Sequence, residues 1–142
     1  MMKEKQSLID YWRSRKIITD ERVLQAFEKV PREEFLPKHL KEYAYEDRAL
    51  PIAAGQTISQ PSTVMIMLQA LDLQESQKVL EIGTGSGWNA SLLSILVGAK
   101  GHVYTTEIVP EMYAYGKKKL QPYQNVTVLK VDGSEGLKRH AP

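Results

Sequence analysis

The chain has no cysteine. That absence removes disulfides, thiolate nucleophiles and cysteine-ligated zinc from consideration. Histidine is scarce: His39, His102 and His140 share no metal-ligand spacing and read as surface or loop residues, so no metal site is expected. Neither sign of charge prevails. With 19 basic and 17 acidic residues the formal net charge is +2, too balanced to indicate a nucleic-acid or membrane partner. Long apolar runs are also missing. The greasiest stretch, "LLSILVGA" at 92–99, is far shorter than a membrane span of ~20 residues. The N-terminal "MMKEKQSLIDYWRSRK" carries charge throughout and lacks the apolar core of a signal peptide. Together these features suit a cytoplasmic protein. What remains is an ordinary globular composition, 42% hydrophobic and 25% charged in 142 residues, enough for one domain with a real core.

The chain changes texture near residue 60. Residues 1–60 read as helices and turns, a segment expected to pack on a core formed by 61–142. In "ITDERVLQAFEKVP", Thr19 is a plausible helix cap, Asp20 and Glu21 occupy the first turn, and Pro31 is a stop. Val23, Phe27 and Val30 recur at helical spacing. Beyond Pro61, "STVMIMLQALDL" predicts a helix that is apolar almost all round and therefore buried. Strands are expected at 78–83, 101–107 and 125–132, alternating with helices at 89–98, closed by Gly98, and at 110–121. Strand, helix, strand, helix, strand implies an α/β fold with a parallel sheet. Three parallel strands are few for such a sheet, and the apolar "VLEI" strand would be left bare if it lay outermost. The chain therefore reads as a domain cut short, or one completed by a partner.

The sharpest chemical signal is "VLEIGTGSGWNAS". Its glycines fall at 83, 85 and 87, and position 88, where a dinucleotide fingerprint needs glycine, holds tryptophan. Glu81 stands two residues before the first glycine. An acid there suits an amino group better than a pyrophosphate, and the loop suits a ligand with ribose and amino-acid parts, such as S-adenosylmethionine. The plain alternative is a generic strand-to-helix turn. Glu107 closes the second strand, 24 residues beyond Gly83, where a carboxylate can take both ribose hydroxyls or merely neighbour the cap of the next helix. Asp132, followed by Gly133, ends the third strand. It can accept from an adenine amino group, or it can form an Asp-Gly turn.

This order of elements resembles a class I S-adenosylmethionine-dependent methyltransferase, Rossmann-like in fold. More narrowly, it resembles the protein-L-isoaspartate O-methyltransferase family, through "VPREEFLP" at 30–37, "AYEDRALPI" at 44–52, "GQTISQP" at 55–61, "VLEIGTGSGW" at 79–88 and "VDG" at 131–133. "GQTISQP" is the most specific of these. The resemblance implies a seven-stranded family fold, of which this chain would hold the first half. It implies methyl transfer to the α-carboxylate of L-isoaspartyl residues in damaged proteins, with S-adenosylmethionine as cofactor and no nucleic acid or membrane as partner. It makes Ser59 the active-site residue, within a loop of Gln56, Thr57 and Ile58. Gly83 and Gly85 would lie along the cofactor's amino-acid part, with Glu81 beside them, Glu107 and Ile108 at the ribose, and Asp132 with Gly133 near adenine. Such enzymes are expected to be monomers, although the unfinished sheet edge here could associate. Ser62 stands where relatives often carry His or Tyr, and Val64 where some carry His, so no contact from those side chains is carried over.

A carboxylate nucleophile is already ionised near neutral pH, so the uncharged "AAGQTISQP" loop suits the reaction. It need only align the carboxylate and exclude water. Ser59 reads as an orienting donor rather than a covalent nucleophile, since no base sits in the motif. It reads equally as a helix cap, because Pro61 and the apolar run place a helix start at 59–61. Arg32 and Arg48 are expected to pair with local acids or, as the family resemblance implies, to help shape the cleft. Trp12 and Trp88 are expected to pack, with Trp88 also placed to flank the cofactor, and "GKKKL" at 116–120 to form a solvated helix end.

Overall fold

A computed structural model describes residues 1–141; Pro142, the last residue of the expected core segment, lies outside the described residues. Two helices open the chain, α1 (Met2–Ser14) and α2 (Glu21–Lys29). Leu8, Ile9 and Trp12 form the buried stripe of α1, and Val23, Leu24, Ala26 and Phe27 that of α2. Both stripes follow the helical period. The cap of α2 is Asp20, not Thr19. The Asp20 carboxylate accepts from the Arg22 amide at 2.9 Å, while the Thr19 amide is taken by the Gln69 side chain at 2.7 Å. A carboxylate also suits the positive end of the helix dipole better than a hydroxyl. Phe27 joins the N-terminal segment to the core, with its ring edge-on to Trp12 at 4.7 Å and to Trp88 at 6.3 Å.

Short 3-10 turns at Arg32–Phe35 and Lys38–Tyr43 lead into a two-stranded antiparallel ribbon of β1 (Leu50–Pro51) and β2 (Thr57–Ile58), in which Leu50 faces Ile58. Both facing side chains are buried. The ribbon delivers the chain to α3 (Pro61–Leu71), with Pro61 in the first turn, where a missing N–H costs nothing. Ser59 does not cap this helix. Gln60 holds the cap position without a side-chain bond, and Asp47, distant in sequence, supplies the acceptor instead. Its carboxylate takes the Ser62 amide at 2.9 Å and the Ser62 hydroxyl at 2.5 Å. The Trp12 indole N–H donates to that same hydroxyl at 2.7 Å. Ser62 is thus occupied in linking α1, α3 and the Asp47 turn.

The remainder alternates β3 (Lys78–Ile82), α4 (Trp88–Val97), β4 (His102–Thr106), α5 (Pro110–Lys119) and β5 (Val126–Leu129). The strands form one parallel sheet in the order β3-β4-β5, with Val79 opposite Val103 and Val103 opposite Val126. Period-2 alternation sends Val103 and Thr105 into the buried interior with α4, while Leu80 and Ile82 of β3 remain 39% and 60% exposed. The apolar strand is therefore outermost among the described residues. Helix α3 departs from the all-round burial expected of it. Val64, Met65 and Leu68 are buried against the core, but Ile66, Met67 and Leu71 are exposed, the last two lining the groove beside β3. Apolarity all round does not bury a helix that has neighbours on only one side. Among the described residues no helix is long and apolar enough to cross a membrane.

Removing the Asp47 carboxylate strips α3 of its cap and leaves the Ser62 hydroxyl with one partner fewer. Asp47→Ala is expected to lower unfolding free energy by about 1–2 kcal/mol. Ser59→Ala should stay within about 0.5 kcal/mol of the parent chain. Urea unfolding of both variants separates the two caps, and equal losses would restore Ser59 as a structural residue.

Candidate functional site

Chain reversal after β3 depends on left-handed backbone. Gly83, Gly85 and Gly87 have φ of 91°, 55° and 90°, a region that glycine enters without a Cβ penalty. The amides of Gly83 and Thr84 donate to the Thr106 carbonyl at 2.8 and 2.9 Å, which ties the turn to the end of β4. A Cβ built on Gly83 or Gly85 would meet nothing within 4 Å. Their outer surface is open to a ligand, and the glycines are needed there for conformation. The opposite side is tight. Gly116 of α5 packs on the loop so closely that a Cβ there would lie 2.7 Å from the Thr84 methyl. Gly116 opens "GKKKL", so that stretch is solvated only in its lysines. A glycine inside a helix was the sequence signal for this close approach.

Glu107, just past β4, is buried and holds the loop from below. One carboxylate oxygen accepts from the Gly85 amide at 3.0 Å, the other from Ile108 and Val109 at 3.1 and 3.2 Å. Glu81 is held as firmly. The Thr105 hydroxyl and the Asn89 amide group each donate to it at 2.6 Å, and Thr105 in turn meets the Thr84 hydroxyl at 2.7 Å. Burial pushes the Glu81 carboxyl up to about 7, against the pull of its two donors and with a smaller upward push from the Glu107 charge. Neither Asn89 nor Thr105 carries a sequence signal that would mark it, because each earns its partner only when α4 and β4 are folded onto β3.

Thr57, Ile58 and Ser59 line the same groove as Glu81, Gly83 and Gly85, a cavity of about 490 Å³ floored by Trp88, Asn89 and Leu68. Gln56 stands outside it, its backbone closing the ribbon turn through Ala53 and Ile52. The Ser59 side chain is exposed, while its carbonyl accepts from Arg32 at 2.9 Å. Among the described residues Arg32 is not paired with an acid. It is fully buried, and its other bonds go to the carbonyls of Ala44 at 2.5 Å and Arg48 at 3.2 Å. Burial lowers its pKa to about 10, which leaves it charged at neutral pH. Arg48 does pair locally, with Glu46 at 2.5 Å.

The remaining expected residues form a rim at the ends of β4 and β5. The Asp132 carboxylate accepts from the Ser134 amide at 2.9 Å, closing an Asx turn, and that bond holds its pKa below the ordinary value. Gly133 passes so close to β4 that a Cβ would lie 2.4 Å from the Thr106 hydroxyl. Ile108 is 66% exposed beside Glu107. These four do not line the groove; the Glu107–Gly85 bond connects rim to groove. No lysine or arginine occurs between residues 79 and 99, so the loop's own segment supplies none of the cations a phosphate would favour.

The sequence profile of the protein-L-isoaspartate(D-aspartate) O-methyltransferase family matches residues 3–142. The chain belongs to that family. It is 46% identical across its whole length to a protein-L-isoaspartate O-methyltransferase of Ignicoccus hospitalis, of which it covers 68%. A solved protein-L-isoaspartate O-methyltransferase aligns over 97% of this chain and 45% of its own, with a TM-score of 0.86 and 30% identity. A Plasmodium falciparum structure, described as a protein-L-isoaspartate O-methyltransferase in complex with S-adenosyl-L-homocysteine, shares the fold at TM-score 0.76 and 21% identity, over 88% of this chain and 62% of its own. The chain spans about half to two thirds of the length of the curated relatives it matches. Within this family member, His102 at the start of β4 bonds the Thr127 hydroxyl at 2.7 Å and His140, in a 3-10 turn, stacks on Tyr104; neither lines the groove.

Because folded Glu81 keeps its proton to a higher pH than the unfolded chain, its contribution favours folding at low pH. That contribution is lost as pH rises from the ordinary value of 4.5 to about 7, with a slope of at most about 1.4 kcal/mol per pH unit. Glu81→Gln is expected to flatten this part of the stability profile, measured by urea unfolding at stepped pH. An unchanged slope would place the proton elsewhere. Gly116→Ala should destabilise by about 1–3 kcal/mol through the clash with Thr84, although alanine is the better helix former by about 1 kcal/mol. Denaturant unfolding gives the sign.

Proposed function

We propose that the groove serves S-adenosylmethionine-dependent methyl transfer to the α-carboxylate of L-isoaspartyl residues in damaged proteins. One observation carries this reading: an uncharged Ser59 loop and an open glycine loop line a single cavity. Family membership supports the activity, and the complex of the Plasmodium falciparum structure agrees with the cofactor.

The cofactor supplies a methyl group on a cationic sulfur. In the reaction a carboxylate oxygen of the substrate forms a bond to that methyl carbon as the carbon–sulfur bond breaks, giving a methyl ester and S-adenosylhomocysteine. A carboxylate is ionised at neutral pH, so no protein base has to remove a proton. The work left to the chain is alignment and water exclusion. Gly83 and Gly85 offer backbone to the amino-acid part of the cofactor across an unobstructed face. Glu107 has three of roughly four acceptor directions filled and keeps capacity for a ribose hydroxyl. Ile108 presents an apolar surface to a base, and Asp132 with Gly133 stands within the same rim for the adenine edge. Glu81 braces the loop through Asn89 and Thr105 beside the amino-acid part. Ser59, exposed at the groove, donates to the substrate carboxylate. A neutral donor orients that carboxylate without holding it as tightly as a cation would, which would favour the ground state. In this division of labour residues 1–60 bring the substrate loop and 61–142 the cofactor cradle. Residues without cysteine suit the reducing cytoplasm we assign.

Calorimetric titration with S-adenosylmethionine should show binding to this chain, and no heat of binding would exclude the cofactor reading. Methylation of an isoaspartyl peptide but not its aspartyl twin fixes the substrate class; equal methylation of both would exclude it. Ser59→Ala should lower kcat about 10- to 100-fold, the loss of one hydrogen bond to a charged group. Turnover unchanged in the variant would remove Ser59 from the chemistry.

A further inference from the structure

The buried cation at Arg32 needs an explanation that pairing does not supply. It is fully buried, and none of the ion pairs among the described residues includes it. Burying a charge without a counter-ion is costly unless dipoles replace the water it loses. Here three carbonyls do so for the two terminal nitrogens, from Ala44, Arg48 and Ser59, while Nε is buried without a partner among the described residues. They come from three separate stretches of chain, and the last belongs to the substrate loop. The guanidinium also lies over the Trp88 ring at 5.0 Å, and Trp88 is the first residue of α4, directly after Gly87. One side chain therefore touches the Ser59 backbone and the residue that ends the glycine loop.

We infer that Arg32 is a positioning residue that fixes the Ser59 loop against the start of α4, setting the substrate side of the groove at a constant distance from the cofactor side. The inference rests on the groove being the methyl-transfer site. An in-line displacement is sensitive to alignment, and a small displacement of the orienting group costs rate more than binding. The chemistry also explains why arginine stands here. Its planar fork reaches diverging carbonyls with two nitrogens while its face stacks on an aromatic ring, and an ammonium can do neither together. Asp47 steadies the far side of the loop through Ser62, and the Gln60 side chain bonds the Asp47 carbonyl at 3.1 Å. Neither of these bonds reaches the Ser59 carbonyl, so removing Arg32 frees it locally.

Arg32→Lys tests the inference in two independent ways. Amide hydrogen exchange of the whole chain, followed by mass spectrometry, should speed up at least tenfold at residues 57–60 while the cores of α2 and α4 keep their protection. In turnover with an isoaspartyl peptide, kcat should fall about 10- to 100-fold with the KM for S-adenosylmethionine changed less than threefold. Unaltered exchange at 57–60, or equal acceleration throughout the chain, overturns the positioning role. Loss of cofactor affinity in step with kcat overturns it as well. If the lysine variant does not fold, the parent chain decides by exchange alone. Residues 57–60 and the first turn of α4 should then open together at the same denaturant dependence, and independent opening overturns the inference. A parent chain with no cofactor binding or turnover would refute the proposed function, while the exchange result would still decide Arg32.

Discussion

Everything in the groove depends on how the chain turns back after β3. Three alternate residues must adopt left-handed φ, and the turn would be loose if its amides found only water. Glu107 prevents this. Its carboxylate takes the Gly85 amide and two amides of its own strand end, so the glycine turn and the end of β4 move as one body. The Thr106 carbonyl adds two more bonds from the same turn. Charge-assisted bonds of this kind are the strong ones, and this one is sheltered from solvent. The loop is consequently rigid at its base and bare on its outer face, the combination a ligand-binding turn requires.

A second anchoring system holds the other half of the site. The Ser59 loop has no regular structure to stiffen it beyond a two-residue ribbon. It is secured by polar side chains reaching in from the N-terminal segment: Asp47 on the first turn of α3 and Arg32 on the Ser59 carbonyl. Both are charged groups satisfying backbone. This arrangement leaves the Ser59 hydroxyl unencumbered and the loop itself free of charge. The N-terminal helices thus act less as an appendage than as the frame on which the substrate side is mounted, with Phe27 seating that frame on Trp88.

The acids of the site divide by environment. Asp132 is exposed and held ionised by its own Asx turn, while Glu81 lies between α4 and β4 and resists ionisation. Glu107 is as secluded but surrounded by amides. Asp132 and Glu81 therefore differ in charge at neutral pH, and the groove is less acidic than its composition suggests. That matters for a substrate that is itself an anion.

Much of this was legible in the chain. The strand–helix alternation, the glycine spacing, the absence of cations around it and the uncharged loop before α3 are local patterns, fixed by backbone sterics and hydrophobic period. They located β3, β4, the glycine turn and the loop of Ser59 within a residue or two, while β5 ends at Leu129, three residues before the expected Asp132. Other features were not legible. Thr19 and Ser59 looked like caps because capping residues are recognised from their neighbours in sequence, whereas the caps came from Asp20 one residue on and from Asp47 across the fold. Arg32 read as a partner for local acids, yet it lies in the core with three carbonyls. Asn89 and Thr105 gave no sign of bracing Glu81. Burial of α3 was misjudged because apolarity states what a helix could bury, not what stands beside it. By itself the sequence determined which segments fold and which backbone can bend. Only the tertiary structure decided which polar groups meet, because a buried donor takes the nearest acceptor in space, however far away it lies along the chain.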